Sequence, residues 1–265
     1  MSTAHGSGDA PEQAAPAPPA DGPRRPSRLR RVTSHPLAHL VAAIAVLALL
    51  QAFVVKPFTV PSESMENTLQ VGDRVLVDRT AYLPLRSEHG PAQGDVVAFR
   101  ADETLWGEGS GGAEDSGVIE SAKHLVKLIL GDTLGFGPTT EPQLVKRVIA
   151  TEGQTVSCCS PRGGVLVDGA ELPEPYIKDD FPFEEGVLDC TTSPRSLRCV
   201  DEVKVPAGML LALGDHRGNS SDGASACRTP NAQSPPECMR WVRTDDVLGR
   251  AWTVFWPLGR FGSVS

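Results

Sequence analysis

The sequence predicts a mainly β protein, an irregular, barrel-like antiparallel sheet domain on the extracytoplasmic side, set behind one N-terminal transmembrane helix. Three observations lead there. A single apolar run lies near the N-terminus, a succession of short apolar segments punctuated by Gly, Pro, Asn and Asp follows it, and all six cysteines come after it. The chain has 265 residues, room for one sizeable domain with appendages. Its 40% hydrophobic and 22% charged residues permit a real core, which excludes wholesale disorder, a collagen and a long coiled coil.

Residues 1–35 read as a disordered cytoplasmic tail. Residues 10–26 are rich in Ala and Pro and cannot build a packed core. Residues 36–56 read as the anchor. The run Leu37–Val55 carries no formal charge apart from a possible one on His39, and as a helix it would be about 28 Å long. Its length and its continuation through Phe53-Val54-Val55 into Lys56-Pro57 argue against a cleaved secretory signal, whose apolar region is shorter and ends at small residues. Arg24, Arg25, Arg28, Arg30 and Arg31 precede the run and only Lys56 closely follows it, so the positive-inside rule keeps the N-terminus in the cytoplasm and exports the rest. The expected location is therefore a plasma membrane, crossed once.

Residues 57–265 read as the exported domain. Strands are expected at Val71–Asp78, Asp95–Phe99, Leu144–Ala150, Val165–Asp168, Val203–Val205, Met209–Leu213 and Val247–Trp256, with a tight hairpin at Asp168-Gly169. Residues 101–143 form an acidic, Gly-rich insertion in which Ser121–Leu130 has the pattern of a short amphipathic helix. Residues 224–240 form a second insert, bounded by cysteines. Six cysteines allow fifteen pairings, of which Cys227–Cys238, bracketing a Pro-rich loop, is the best single guess. No Cys-x-x-Cys occurs and no His stands at ligand spacing, so no metal site and no cofactor are expected. The net charge is −8, with +2 on residues 1–35, which leaves −10 on the remainder. A domain that acidic is poorly suited to a phosphate backbone, so no nucleic-acid partner is expected. Oligomeric state has no signature.

The chain lacks a Gly-x-Ser-x-Gly elbow and an evident Ser-His-Asp context. A serine nucleophile would need another base, and a lysine serves when burial disfavours its charged form. Ser64 lies in Pro61-Ser62-Glu63-Ser64-Met65-Glu66-Asn67-Thr68-Leu69, directly after the anchor, and Lys146 lies in the apolar strand Leu144–Ala150. Each is weak alone: a turn serine is ordinarily just that, a strand lysine ordinarily meets solvent, and Lys127 has nearly the same apolar neighbours as Lys146.

These segments resemble type I signal peptidases, in the single-anchor form of Gram-positive bacteria. Four blocks carry the resemblance in order: residues 61–73, Gly94-Asp95-Val96-Val97, Lys146-Arg147-Val148-Ile149 with Glu152–Val156, and Gly214-Asp215-His216-Arg217-Gly218-Asn219-Ser220-Ser221-Asp222. The resemblance implies a membrane-bound serine endopeptidase that removes signal peptides from exported preproteins, with the bilayer and the signal peptide as partners. It implies Ser64 as nucleophile and Lys146 as general base, selecting Lys146 over Lys127 because Arg147 and the next block accompany only the former. Ser64 N–H and the Ser62 hydroxyl would hold the oxyanion, Ser220 would orient the amine, and Asp222 would brace its loop, against Arg147. Phe58, Val60, Leu69 and Val145 would line pockets that admit only small residues at the first and third positions before the cut. Two departures stand out. Asn67 replaces the family's usual Pro, and Gly223-Ala224 replaces the usual Ser-Arg after Asp222. The rival readings are a self-cleaving Ser-Lys repressor, a membrane-tethered, disulfide-bearing binding domain, and a signal-peptidase relative without activity. The C-terminal aromatics Trp252, Phe255, Trp256 and Phe261 are expected to pack in the core rather than at the membrane interface.

Overall fold

The computed structural model describes residues 36–86, 90–101, 106, 143–229 and 232–264. Helix α1 (Pro36–Phe53) is built almost wholly from Ala, Leu, Val and Ile. Leu37, Leu40, Val41, Ile44 and Phe53 are exposed on it. The helix stops before the expected end of the anchor. Pro57 lacks an N–H and drives Lys56 extended, so Val55 and Lys56 open strand β1 (Val55–Thr59) instead. Among the described residues no helix is long and apolar enough to cross a membrane.

The chain divides into two units, Met1–Ile44 and Ala45–Ser265, and every strand belongs to the second. The larger sheet contains β1, β2 (Arg74–Asp78), β3 (Val96–Arg100), β4 (Gln143–Thr151), β9 (Met209–Leu213), β10 (Val242–Arg243), β11 (Val247–Trp256) and β12 (Gly262–Ser263). Its order is β1-β2-β11-β3-β4-β9-β10, with β12 added to β11. The smaller sheet contains β5 (Thr155–Cys158), β6 (Val165–Val167), β7 (Ala170–Glu171) and β8 (Val200–Lys204), in the order β7-β6-β5-β8. The pairings are antiparallel. The expected barrel-like sheet is thus two sheets, and the order of the larger has two ends. The hairpin β6–β7 turns at Asp168-Gly169, both with positive φ (50° and 79°), as expected of an Asp-Gly turn.

Strand β4 carries the site. Its residues Val145–Ala150 are all buried, and their side chains enter three separate apolar clusters: Val145 with Phe58, Met65 and Leu69; Val148 with Val97 and Phe99; Ile149 and Ala150 with Val156 and Leu211. A polar side chain on this strand is therefore taken out of water on both faces. Outside β4, Trp106 packs edge-on against Phe99, with ring centroids 5.2 Å apart. The expected helix Ser121–Leu130 and Lys127 lie outside the described residues.

The cysteines pair as Cys158–Cys159, Cys190–Cys199 and Cys227–Cys238, which includes the guessed bridge. The first two bridges adjoin: the sulfurs of Cys159, Cys190 and Cys199 lie within 4.8 Å of one another. The expectation for the C-terminal aromatics needs correction. Trp252, Trp256 and Phe261 are about half exposed or more, as is Leu258, where they project from β11 and the turn after it, and Phe255 is half-buried.

Candidate active site

Ser64 sits in a single 3-10 turn (Glu63–Met65) that follows β1. The turn is pinned from within by Met65, wholly buried, whose carbonyl accepts from the N–H groups of Thr68 and Leu69. It is pinned from across the fold by His216, whose N–H donates to the Ser64 carbonyl at 3.1 Å. Lys146 pairs with Val97 in the β3–β4 register and is 2% exposed. Its Nζ lies 2.5 Å from Ser64 Oγ, and Ser62 Oγ lies 3.2 Å from the same hydroxyl.

Burial pushes the Lys146 amine down to about 8, against the pull of the Asp222 and Asp215 carboxylates, which favour the ammonium. Those carboxylates have other partners. Arg147 Nε and Nη2 donate to Asp215 at 2.9 and 2.8 Å, with both side chains almost fully buried. Arg217 pairs with Glu174. Arg228 Nη1 lies 3.4 Å from each oxygen of Asp222. Each buried acid at the site thus has a guanidinium, while Lys146 forms no salt bridge among the described residues. The arrangement leaves an amine that can be neutral beside a hydroxyl it can deprotonate, the pairing a lysine-activated serine nucleophile requires.

The sequence model of the family described as signal peptidase, peptidase S26, matches residues 34–256. The chain belongs to this signal peptidase family. A probable signal peptidase I of Mycobacterium leprae is 33% identical over 234 residues, 84% of this chain and 76% of that protein. Signal peptidase I of Mycobacterium tuberculosis is 33% identical over 247 residues, 90% of this chain and 78% of that one. A solved signal peptidase I from Enterococcus faecalis V583 is 18% identical and covers 60% of this chain and 95% of its own, at a TM-score of 0.29, too low to bear on the fold. The chain is accordingly an enzyme of the type I signal peptidase class, a serine peptidase.

Other signal-peptidase expectations fare differently. The brace between Asp222 and Arg147 is corrected: Arg147 holds Asp215, and its guanidinium also reaches the Gly94 carbonyl (2.9 Å), Thr68 Oγ1 (3.0 Å) and the face of Tyr176 (3.9 Å). Asp222, wholly buried, accepts instead from the Gly214 and Ala224 N–H groups and faces Arg228. Ser220 Oγ is buried without a hydrogen-bond partner among the described residues, so its expected bond to the amine is not formed. Its side chain instead fills the space beside Gly214, where a Cβ would lie 2.2 Å from Ser220 Oγ and 2.6 Å from the Ser64 carbonyl oxygen. Phe58, Val60, Leu69 and Val145 do come together, in one buried cluster with Met65.

Several contributors carried no assigned role in the sequence. Asp215 and Gly94 stand inside matching blocks, and Thr68 donates to Asp215 at 2.5 Å, tying the serine loop to the arginine. Tyr176 and Arg228 lie outside every block. For Arg228 the one available signal was electrostatic, since an acid as buried as Asp222 needs a cation nearby. Asn67 has φ 90°, which proline cannot adopt, and its Nδ2 donates to the Tyr176 carbonyl at 3.1 Å.

Proposed function

We propose that this enzyme removes signal peptides from exported preproteins by a Ser64–Lys146 dyad, and that it does so at a membrane surface. One observation carries the reading: a buried amine, without a salt bridge among the described residues, 2.5 Å from a buried serine hydroxyl. In the neutral amine the Ser64 O–H donates to the Nζ lone pair, Oγ attacks the scissile carbonyl, and Lys146 takes the proton. The ammonium then returns it to the departing amine, leaving an acyl-enzyme. A water that Lys146 deprotonates hydrolyses the ester and restores the serine. The Ser64 N–H and the Ser62 hydroxyl are the donors for the oxyanion, a contribution commonly about 2.7–4 kcal/mol for one such donor. Ser220 and Asp222 hold the loop that backs the serine, through Gly214.

Strand β1 ends the order of the larger sheet, so an extended peptide has an edge to add to beside the nucleophile. Phe58, Val60 and Val145 are all but buried and Leu69 is completely so, which supports shallow pockets suited to small residues at the first and third positions before the cut. Helix α1, Pro36–Phe53, serves as the anchor, with the domain on the extracytoplasmic face. The 18 residues of α1 give about 27 Å of helix, a short span that a bilayer accommodates by thinning. The exposed Leu37, Leu40, Val41, Ile44 and Phe53 of the helix, and Trp252, Trp256, Leu258 and Phe261 of the domain, support contact with lipid.

The test is cleavage of a preprotein by the purified full chain. Ser64→Ala should lower the rate by at least about 10³-fold while the domain stays folded. Substantial activity in the folded variant would reject Ser64 as nucleophile.

A further inference from the structure

We infer that Arg228, presented by the Cys227–Cys238 clip, is a positioning residue that acts through Asp222 to keep the Lys146 amine free for its work as base. The inference rests on the Ser64–Lys146 reading and adds a residue that no block of the family resemblance contains. Arg228 ends a short 3-10 turn, Ser225–Arg228, six residues beyond Asp222. The adjacent Cys227 is bonded to Cys238, and two residues after Cys238 the Arg240 N–H donates to the Gly223 carbonyl at 2.8 Å. The insert is thus fastened at its base beside Asp222, and its turn delivers a guanidinium to a carboxylate that is wholly buried. Arg228 is itself 8% exposed, and its Nη1 also reaches the Arg217 carbonyl at 3.4 Å. Its guanidinium lies 5.5 Å from the Phe181 ring centroid.

The buried cations beside it are engaged elsewhere, while Arg240, which packs over Gly223, donates to Ser221 Oγ at 2.9 Å. Arg217 sends Nη2 to Glu174 and Nε to the Gly214 carbonyl, and Arg147 is committed to Asp215. Among the described residues, the remaining charged or titratable groups facing the site from the serine turn and the 214–222 loop are Glu63, held by Asn219, Glu66, held by Lys178, and His216, whose ring lies between Glu66 and Asp179. The buried Asp222 carboxylate favours the protonated form of the Lys146 amine, as does Asp215. With Arg228 gone, Asp222 keeps its two backbone N–H donors but loses its guanidinium, and its charge then acts on a buried cation that forms no salt bridge among the described residues. That cation is Lys146, which then holds its proton to higher pH and is lost as a base near neutrality. Ala224 cannot supply the missing charge.

The experiment is the pH dependence of kcat/KM for preprotein cleavage by the full chain, comparing wild type, Arg228→Gln and Arg228→Lys, with thermal melting of each. Arg228→Gln should move the acidic limb upward by about one pH unit, lowering the rate about tenfold below the limb, and Arg228→Lys should restore most of the wild-type profile. A purely structural role would lower the melting temperature of Arg228→Gln and leave the limb in place, and that result overturns the inference. If Arg228→Gln fails to fold, the Cys227→Ser, Cys238→Ser pair decides, since loosening the clip should shift the limb in the same direction. A limb that stays put there likewise overturns the inference. Ser64→Ala run in parallel separates the two claims: activity in that variant rejects the dyad itself, whereas an inactive Ser64→Ala with an unmoved Arg228→Gln limb rejects only the role of Arg228.

Discussion

Lys146 shows how one buried residue sets a protein's chemistry against its stability. Its amine falls from 10.5 to about 8 on folding because burial penalises the charged form. Between those values the unfolded chain binds a proton that the folded chain does not, so stability rises with pH across that window and the full cost is carried below it. Lys146→Met removes that cost. At pH 7 the variant should therefore be inactive yet melt above wild type, with the gap closing as pH rises toward 10. A lower melting temperature at pH 7 would mean that the lysine contributes contacts worth more than its desolvation. Ser220 illustrates the opposite case, a hydroxyl without a hydrogen-bond partner among the described residues, placed where it supports Gly214 and the Ser64 backbone.

At the scale of elements, the insert between Cys227 and Cys238 explains an otherwise odd substitution. Gly223 stands where the family usually has Ser, and its N–H donates to the Ala212 carbonyl while its own carbonyl accepts from Arg240. A Cβ there would lie 2.7 Å from Leu211 Cδ1 and 2.9 Å from each of the Ala212 and Arg240 carbonyl oxygens. The chain returning through Arg240 takes the room a side chain needs. Gly223→Ser should thus cost about 1–3 kcal/mol in urea unfolding, the usual penalty for overpacking, and a neutral result would contradict the crowding. This relation was not legible in the sequence, because it depends on which segment packs over Asp222. What was legible follows the same logic. The strands with continuous Val, Ile and Leu, β2, β3, β4, β9 and β11, were evident from composition, whereas β7, β10 and β12 are two residues long and carry no pattern. The residues 64 and 146 were singled out through their surrounding blocks, since neither differs locally from an ordinary turn serine or strand lysine. Arg228 stayed hidden because its partner is fixed by a disulfide and not by spacing.

At the scale of the whole molecule, the buried acids around the site are each matched by an arginine. Asp215, Glu174 and Asp222 are taken by Arg147, Arg217 and Arg228, and these pairs join the serine turn, β4 and the 214–222 loop around a lysine that forms no salt bridge among the described residues. The serine turn follows the apolar helix in sequence after one short strand, and exposed aromatics stand on the last long strand, which suits the proposed action at a membrane surface. The decisive measurement is kcat/KM for preprotein cleavage from about pH 6 to 10, because only a neutral Lys146 can accept the Ser64 proton. The rate should rise about tenfold per pH unit on the acidic side and level off near the amine's value of about 8. A profile that stays flat down to pH 6 would contradict a lysine base and, with it, the proposed mechanism.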